Sequence, residues 1–430
     1  MDFKKLAKDY KTELLENVIP FWLEKSQDKK FGGYFSCLDR EGRVYDTDKF
    51  VWLQGREVWL FSMLYNQVEK NPSWIYCALQ GAKFLKKYGH DGELNWYFSL
   101  TREGKPLIQP YNIFSHCFAS MAFAQLSKIR DKTEYAEIAV NTFQKILEKQ
   151  DNPKGIYNKS VPGTRPLKNF SLPMILCNLT LELEGLMDPA TIDSTIDTCI
   201  SELMDVFYQP ELGLILENVL SNGRPDDSFE GRLVNPGHSI EAMWFIMELG
   251  LRLKKQDLIE KAVDIALKMV NYGWDEEYGG IFYFLDYKGH PPQQLEWDQK
   301  LWWVHIETLI CMAYGYLLTG NKDCLSWYEK VHNYSWSHFK DPDHPEWFGY
   351  LNRQGEVLLP LKGGKWKGAF HVPRGMYKCW QIFEQLATNG GPLREPSEQA
   401  KSISARKPKS VAKNEGRNKD ESASFKGRFK

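Results

Sequence analysis

At 430 residues, 43% of them hydrophobic and 26% charged, the chain carries enough apolar side chains for a large buried core. Its 55 Lys and Arg against 56 Asp and Glu leave a net charge of −1, which excludes the basic footprint of a general nucleic-acid binder. Aromatic residues make up 14% of the chain, including 15 Trp, a composition suited to pockets that stack on ring-shaped ligands.

The opening run, MDFKKLAKDYKTELLENVIPFW, alternates charge and apolar residues on a helical period and lacks the uninterrupted apolar stretch of a secretory signal. No later run is long and charge-free enough to cross a bilayer, so a soluble cytoplasmic protein is expected. Cys37, Cys77, Cys117, Cys177, Cys199, Cys311, Cys324 and Cys379 form no CxxC pair, which fits reduced thiols in that compartment.

Behind the first helix a hairpin signature recurs. FGGYFSCLDREGRV (31–44), LNWYFSLTREGKPL (94–107), LGLILENVLSNGRP (212–225), YGGIFYFLDYKGHP (278–291) and PEWFGYLNRQGEVL (345–358) each join an apolar alternation to a polar, Gly-containing turn. GIYNKSVPGTRPL (155–167) reads as a degenerate copy. Each is followed by a helix start, near Trp52–Arg56, Tyr111–His116, Asn169–Pro173, Pro236–His238, Trp302–Glu307 and His371–Arg374. The interval of about 60 residues leaves room for two helices per unit and lies outside the common solenoid periods. Residues 71–89, 132–150 and 256–273 have the i, i+3, i+4, i+7 spacing of outer helices, whereas 243–253 and 308–320 are apolar nearly all round, as inner helices are. The expected fold is therefore all-α: a six-unit (α/α)6 barrel over residues 1–389, with the hairpins gathered at the pocket end. The Lys-, Ser- and Gly-rich segment 390–430 is expected to be a disordered, net-basic tail.

If the inner helices start at one pocket, their first turns converge. Those turns carry Arg56, His116, His238, Glu241, Glu307, His371 and Arg374, beside Trp52, Tyr111, Trp302 and Trp303. In NPGHSIEAMWF (235–245) His238 and Glu241 lie three apart on one helix face, so the carboxylate can hold the imidazole in one tautomer. Read alone, His238 is equally a helix cap. AFHVPR (369–374) repeats the arrangement in the sixth unit with His371 and Arg374. Arg56, among apolar neighbours, requires an anionic partner or a ligand oxygen, and Glu307 is the complementary acid for it or another buried cation. No metal-ligand spacing is present; His332, His338 and His344 read as loop and outer-helix residues. GGKWKG (363–368) lacks the spacing of a phosphate-binding loop.

GRLVNPGHSIEAMWF (231–245) and HPEWFGYLNRQGEVLLPLKGGKWKGAFHVPR (344–374) closely resemble the N-acylglucosamine 2-epimerases, also called renin-binding proteins. The likeness runs from the FGGYF hairpin to about Leu386 and leaves out the tail. It implies an (α/α)6 barrel interconverting N-acetyl-D-glucosamine and N-acetyl-D-mannosamine, with His238 and His371 as acid and base, Arg56 and Glu307 as essential pocket residues, and Glu241 supporting His238. A third histidine of the wider superfamily has no counterpart here, where NFSLPMIL places Met174, which argues against the disaccharide epimerases. The resemblance further implies no cofactor for the chemistry, a homodimer, and modulation by ATP that is not consumed, for which Lys159, Arg165 and Lys168 are candidate contacts. The competing readings are an aldose–ketose isomerase on the same barrel and a non-catalytic protease-binding protein; a glycoside hydrolase would have only Glu241 and Glu307 as its acidic pair.

Overall fold

The computed structural model describes residues 1–129, 133–161 and 163–394; the expected tail lies outside them from residue 395 onward. Helix α1 (Phe3–Thr12) starts where the Asp2 carboxylate accepts from the Lys5 amide at 3.0 Å, and passes through a π-helical turn at Glu13–Val18 into α2 (Ile19–Lys25). The inner helices are α3 (Val51–Gln67), α5 (Ile113–Ser127), α7 (Ser171–Leu183), α9 (Pro236–Leu253), α11 (Trp302–Thr319) and α13 (His371–Asn389). Between them run the outer helices α4 (Pro72–Tyr88), α6 (Thr133–Glu148), α8 (Pro189–Ser201), α10 (Gln256–Gly273) and α12 (Lys322–His338). Together they make an (α/α)6 barrel.

The two helix classes differ in the way their patterns require. In α5 every residue from Ser115 to Leu126 is buried, whereas α10 buries Ile259, Ala262, Val263, Ala266, Met269 and Val270 along one face. Inner helices approach closely where side chains are missing. A Cβ on Gly55 would stand 2.6 Å from the Phe118 carbonyl oxygen, and one on Gly375 would stand 2.2 Å from Ile306 Cγ2. All eight cysteines are free and buried, and among the described residues no helix is long and apolar enough to cross a membrane.

Among the described residues six inner helices are followed by five outer ones, and a sixth outer position is filled from the front of the chain. Helix α1 packs on α13, with Tyr10 and Phe3 each stacked on Phe383 at 6.0 Å. The seam between the last and first inner helices is sealed by Trp59 against Phe370 (5.3 Å) and by the Tyr377 hydroxyl donating to Gln67 at 2.9 Å.

At the end of the barrel where the outer helices finish and the inner helices begin, the hairpins form strands of two or three residues. The strand leading into one inner helix pairs with the hairpin of the next unit: 49–50 with 99–100, 167–169 with 218–220, 233–234 with 285–286, and 300–301 with 350–351. The segment 155–167 is not a hairpin. Gly155–Tyr157 forms a 3-10 turn, and Leu167–Asn169 supplies a strand to the neighbouring unit, because the stretch offers no second apolar alternation to pair with the first.

A buried charge cluster recurs at these junctions. Asp28 binds Lys49 (3.0 Å) and Arg102 (2.9 Å); Asp275 binds Lys300 (2.9 Å) and Arg353 (3.1 Å); Asp341 binds Lys362 (2.8 Å) and Arg40 (2.7 Å). In each case the aspartate opens a hairpin, the lysine precedes the same unit's inner helix, and the arginine belongs to the next unit's hairpin turn. Burial alone would raise the Asp28 carboxyl, but the two cations hold it down to about 2; burial pushes the Lys300 and Lys362 ammonium groups down to about 8 despite their partners. The third cluster joins the sixth unit to the first. Asp341→Asn should therefore lower the unfolding free energy in urea titration by about 3–5 kcal/mol, the cost of leaving a buried ammonium without its counter-charge. Asp343→Asn, which removes an exposed partner of the same arginine, should cost less than about 1 kcal/mol.

Candidate active site

The stretch NPGH sets the first side chain. Asn235 caps α9 by accepting from the His238 amide at 3.0 Å, Pro236 occupies the first helical turn, and Gly237 lets that turn press on α11, since a Cβ there would meet the Trp303 ring at 2.7 Å. His238 is thus half-buried in the first turn. Its Nδ1 lies 3.0 and 3.1 Å from the two carboxylate oxygens of Glu217, which also accepts from the Ser171 hydroxyl at 3.0 Å. Glu217 sits at the end of the ILE run, just before the strand Asn218–Leu220.

His371 opens α13 and is buried. Its Nδ1 lies 2.7 Å from Glu307, and that fully buried carboxylate also accepts from Arg374 Nη2 (2.8 Å) and from Trp244 Nε1 (2.9 Å). The same Arg374 nitrogen donates to Glu241. Trp303 touches both imidazoles, with ring centroids 5.2 Å from His238 and 5.8 Å from His371. With each Nδ1 engaged by a carboxylate, neither Nε2 has a hydrogen-bond partner among the described residues.

Arg56 is the unbalanced group. Its guanidinium lies 4.4 Å from the Trp52 ring, 4.0 Å from Phe118 and 4.7 Å from Phe370, and among the described residues it makes no ion pair; its buried Nε has no acceptor. Burial lowers its pKa to about 9, so it remains a cation near neutrality. A buried guanidinium in an aromatic cage, with unused donors, is a receptor for a ligand oxygen.

The pKa values of the two imidazoles are pushed in opposite directions. Burial works against a charge on His238, but the Glu217 carboxylate outweighs it, Glu241 adds to it, and the pKa is raised. His371 is driven well below its ordinary value by burial first, then by the cations Arg56 and Arg374, against the pull of Glu241. The difference lies in the carboxylates. Among the described residues Glu217 pairs with no cation other than the imidazole, whereas the charge of Glu307 is already answered by Arg374. Glu241, Glu307 and His371 place ligand atoms within 4.8 Å of one another, but Arg374 already bridges the two carboxylates, so the donor set fits a guanidinium rather than a divalent ion.

Several sequence expectations change here. Glu241 does not hold His238; it pairs with Arg374, and Glu217 takes the imidazole. Of the two partners expected for Glu307, Arg56 or another buried cation, it is the latter, Arg374, that pairs with it, together with His371. His116 is buried away from the pair: its ring nitrogen is 3.5 Å from Lys149, and burial with Lys149 and Lys145 lowers its pKa to about 3. Trp52 lies over Arg56, and Tyr111 packs on Phe98 (5.3 Å), beside Trp366, which meets Trp52 at 5.7 Å. Trp302 is buried 6.4 Å from His371, with its Nε1 unpartnered. Lys159 is exposed, Arg165 faces Glu230 (3.5 Å) and Asp226 (3.9 Å), and Lys168 pairs with Glu202 on another element. The residue missed was Glu217. Its signal was an acid inside the apolar run LGLILENVL, where a charge without a purpose is costly.

The family model for N-acylglucosamine 2-epimerase matches residues 33–372. The chain is 37% identical over 393 residues to an N-acylglucosamine 2-epimerase of Bos taurus, covering 90% of this chain and 93% of that protein. It is 38% identical over 387 residues to one of Rattus norvegicus, covering 88% and 92%. Among solved structures, a cellobiose 2-epimerase from Bacillus thermoamylovorans superposes with a TM-score of 0.76 at 18% identity, covering 89% of this chain and 100% of that one; this likeness is one of fold.

Replacing Glu217 by Gln removes the charge that raises the His238 pKa while keeping a hydrogen-bond acceptor in place. The imidazole of His238, followed by NMR against pH, should then titrate lower than in the wild type. His371 should titrate no lower than before, because the His238 charge that also depresses it is weakened.

Proposed function

The chain belongs to the N-acylglucosamine 2-epimerase family, and we propose that it interconverts N-acetyl-D-glucosamine and N-acetyl-D-mannosamine by exchanging the proton at C2. One observation supports this beyond the likeness to its relatives: two imidazoles whose surroundings push their pKa values in opposite directions share the Trp303 ring, near a guanidinium that has no ion pair among the described residues. Inverting a carbon acid requires those three groups. A base removes the proton, an acid supplies one from the other face, and a cation receives the negative charge in between.

The hydrogen at C2 becomes acidic only next to a free carbonyl, so the open-chain aldehyde is the reacting form. His371, the neutral imidazole, takes the C2 proton at Nε2; the C–H electrons move into a C1–C2 double bond, and O1 becomes an oxyanion. Arg56 stabilises that oxygen from a site shielded by three aromatic rings, where a fixed donor is worth most. His238 then delivers its proton to the opposite face of C2: the C1–C2 double-bond electrons form the new C–H bond, and a lone pair of the O1 oxyanion reforms the C1 carbonyl. Glu307 and Glu217 keep each ring in the tautomer that presents Nε2. The reverse reaction starts with the proton on His371, and exchange with solvent interconverts the two enzyme forms. Proton leaves and proton returns, so the reaction is redox-neutral. The acylamino group on C2 also favours epimerisation over aldose–ketose exchange, because a proton placed on C1 would yield an acylimine rather than a ketose.

NMR of N-acetylmannosamine with the protein in D2O should show conversion to N-acetylglucosamine with deuterium entering at C2. A ketose product would instead identify an isomerase, and no exchange at all would remove both readings. His238→Asn and His371→Asn should each lower the rate by about 10²–10⁴-fold with the fold intact by circular dichroism. The pH profile follows from the two shifts. Activity needs His371 neutral and His238 charged in the direction that starts at His371. The acid limb of kcat/KM should therefore lie well below pH 6.5 and the alkaline limb above it, and Glu217→Gln should move the alkaline limb down.

A further inference from the structure

A second cavity lies behind the catalytic network, at the end of the barrel away from the hairpins. It has a volume of about 290 Å³ and is lined by the inner helices one to three turns beyond the residues of the active site: Trp59 and Gln67 past Arg56 on α3, Glu248 past Glu241 on α9, Tyr314 past Glu307 on α11, and Tyr377 and Gln381 past Arg374 on α13. That size stands at the lower end of the range for small-molecule sites, roughly 300–1,000 Å³. Gln67 and Gln385 are exposed at its mouth, and Arg374, only 2% exposed, lines its inner end. Arg374 spends one nitrogen, Nη2, on both Glu241 and Glu307, while Nε and Nη1 are buried without an acceptor.

We infer that this rear cavity is a second, non-catalytic binding site for a neutral, monosaccharide-sized polyol, and that Arg374 reports its occupancy to His371. Charge selects the ligand class. Lys378 is paired with Glu248, and Glu182 is held by Trp59 Nε1 (2.8 Å) and Lys128 (3.3 Å), so the walls are already neutral in pairs and an ion would enter without a counter-charge. What the walls leave to a guest are aromatic faces, glutamine amides, two tyrosine hydroxyls and the spare lone pairs of the carboxylates. That mixture suits hydroxyls on an apolar ring. A hydroxyl oxygen can accept from the spare donors of Arg374. Charge drawn toward it loosens the grip of Arg374 on Glu307, and the freed carboxylate makes His371 more basic. Substrate or product bound at the rear would thus tune the base at the front, an influence that requires two sites and one shared arginine.

Calorimetric titration of the full-length protein with N-acetylglucosamine, and separately with sorbitol, tests the site. The expected result is two equivalents of the sugar in the wild type, with sorbitol displacing one of them. Gln381→Trp, which fills the cavity, should weaken that equivalent at least tenfold while the other is kept, and rates that depart from a hyperbola at high sugar should become hyperbolic. Gln385→Trp at the exposed mouth serves the same purpose if the first variant fails to give a wild-type thermal melt. A single equivalent in the wild type, or two undiminished equivalents in a folded variant, overturns the proposal. Displacement by inorganic phosphate but not by sorbitol overturns the polyol assignment. Two equivalents without C2 exchange would sink the epimerase reading and leave the rear site standing, whereas one equivalent with normal exchange would do the reverse.

Discussion

A ring of helix pairs must bring its last unit against its first, and here a buried aspartate secures that contact. Asp341 holds Lys362 from its own unit and Arg40 from the first, the same cluster that Asp28 and Asp275 form at two other junctions. The rest of the molecule depends on this closure. Arg56 belongs to the first inner helix and His371 to the sixth, so the cation and the base are neighbours only in a closed ring. The front of the chain completes the closure from outside, because α1 supplies the outer partner that α13 would otherwise lack. Bare burial of these lysines would be prohibitive; Lys49 and Lys362 are each met by an aspartate and a backbone carbonyl at hydrogen-bond distance, and Lys300 by Asp275.

Inside the ring, the distribution of charge does the chemical work. Two histidines occupy equivalent first turns, and sequence alone makes them interchangeable. They are separated by what stands behind their carboxylates: among the described residues no further cation behind Glu217, a guanidinium behind Glu307. The pKa of one imidazole is therefore raised and that of the other lowered, an asymmetry that suits a proton leaving one face of a carbon and returning to the other. Arg56, left without an acid, supplies the matching oxyanion site. Arg374, by contrast, is spent on structure and electrostatics: one nitrogen bridges Glu241 and Glu307, and the residue also lines the rear cavity.

How much of this could be read in advance depended on range along the chain. Local patterns sufficed for the helices: 256–273 was bounded correctly, 71–89 and 132–150 to within two residues, and the six helix starts fell where a polar or aromatic residue follows a turn. They also placed His238 and His371 at equivalent positions. They failed for 155–167, whose turn chemistry resembled a hairpin while its pairing partner lay about a unit away. They failed too for His116, which shares the position of the other first-turn residues but is rotated onto the outer layer, against Lys149.

The sequence by itself determined the architecture, because period-3.6 burial, hairpin turns and repeat spacing are local properties that any six such units must satisfy together. It also determined the cast of the active site, since few polar residues stand at the apolar helix starts. Only the tertiary structure decided the pairings. Glu241, three residues from His238, turned to Arg374 on another helix, and Glu217, 21 residues from His238 and across a hairpin, took the imidazole instead. The physical reason is that a buried charge seeks whichever opposite charge the closed ring brings within 3 Å, and separation along the chain does not measure that distance.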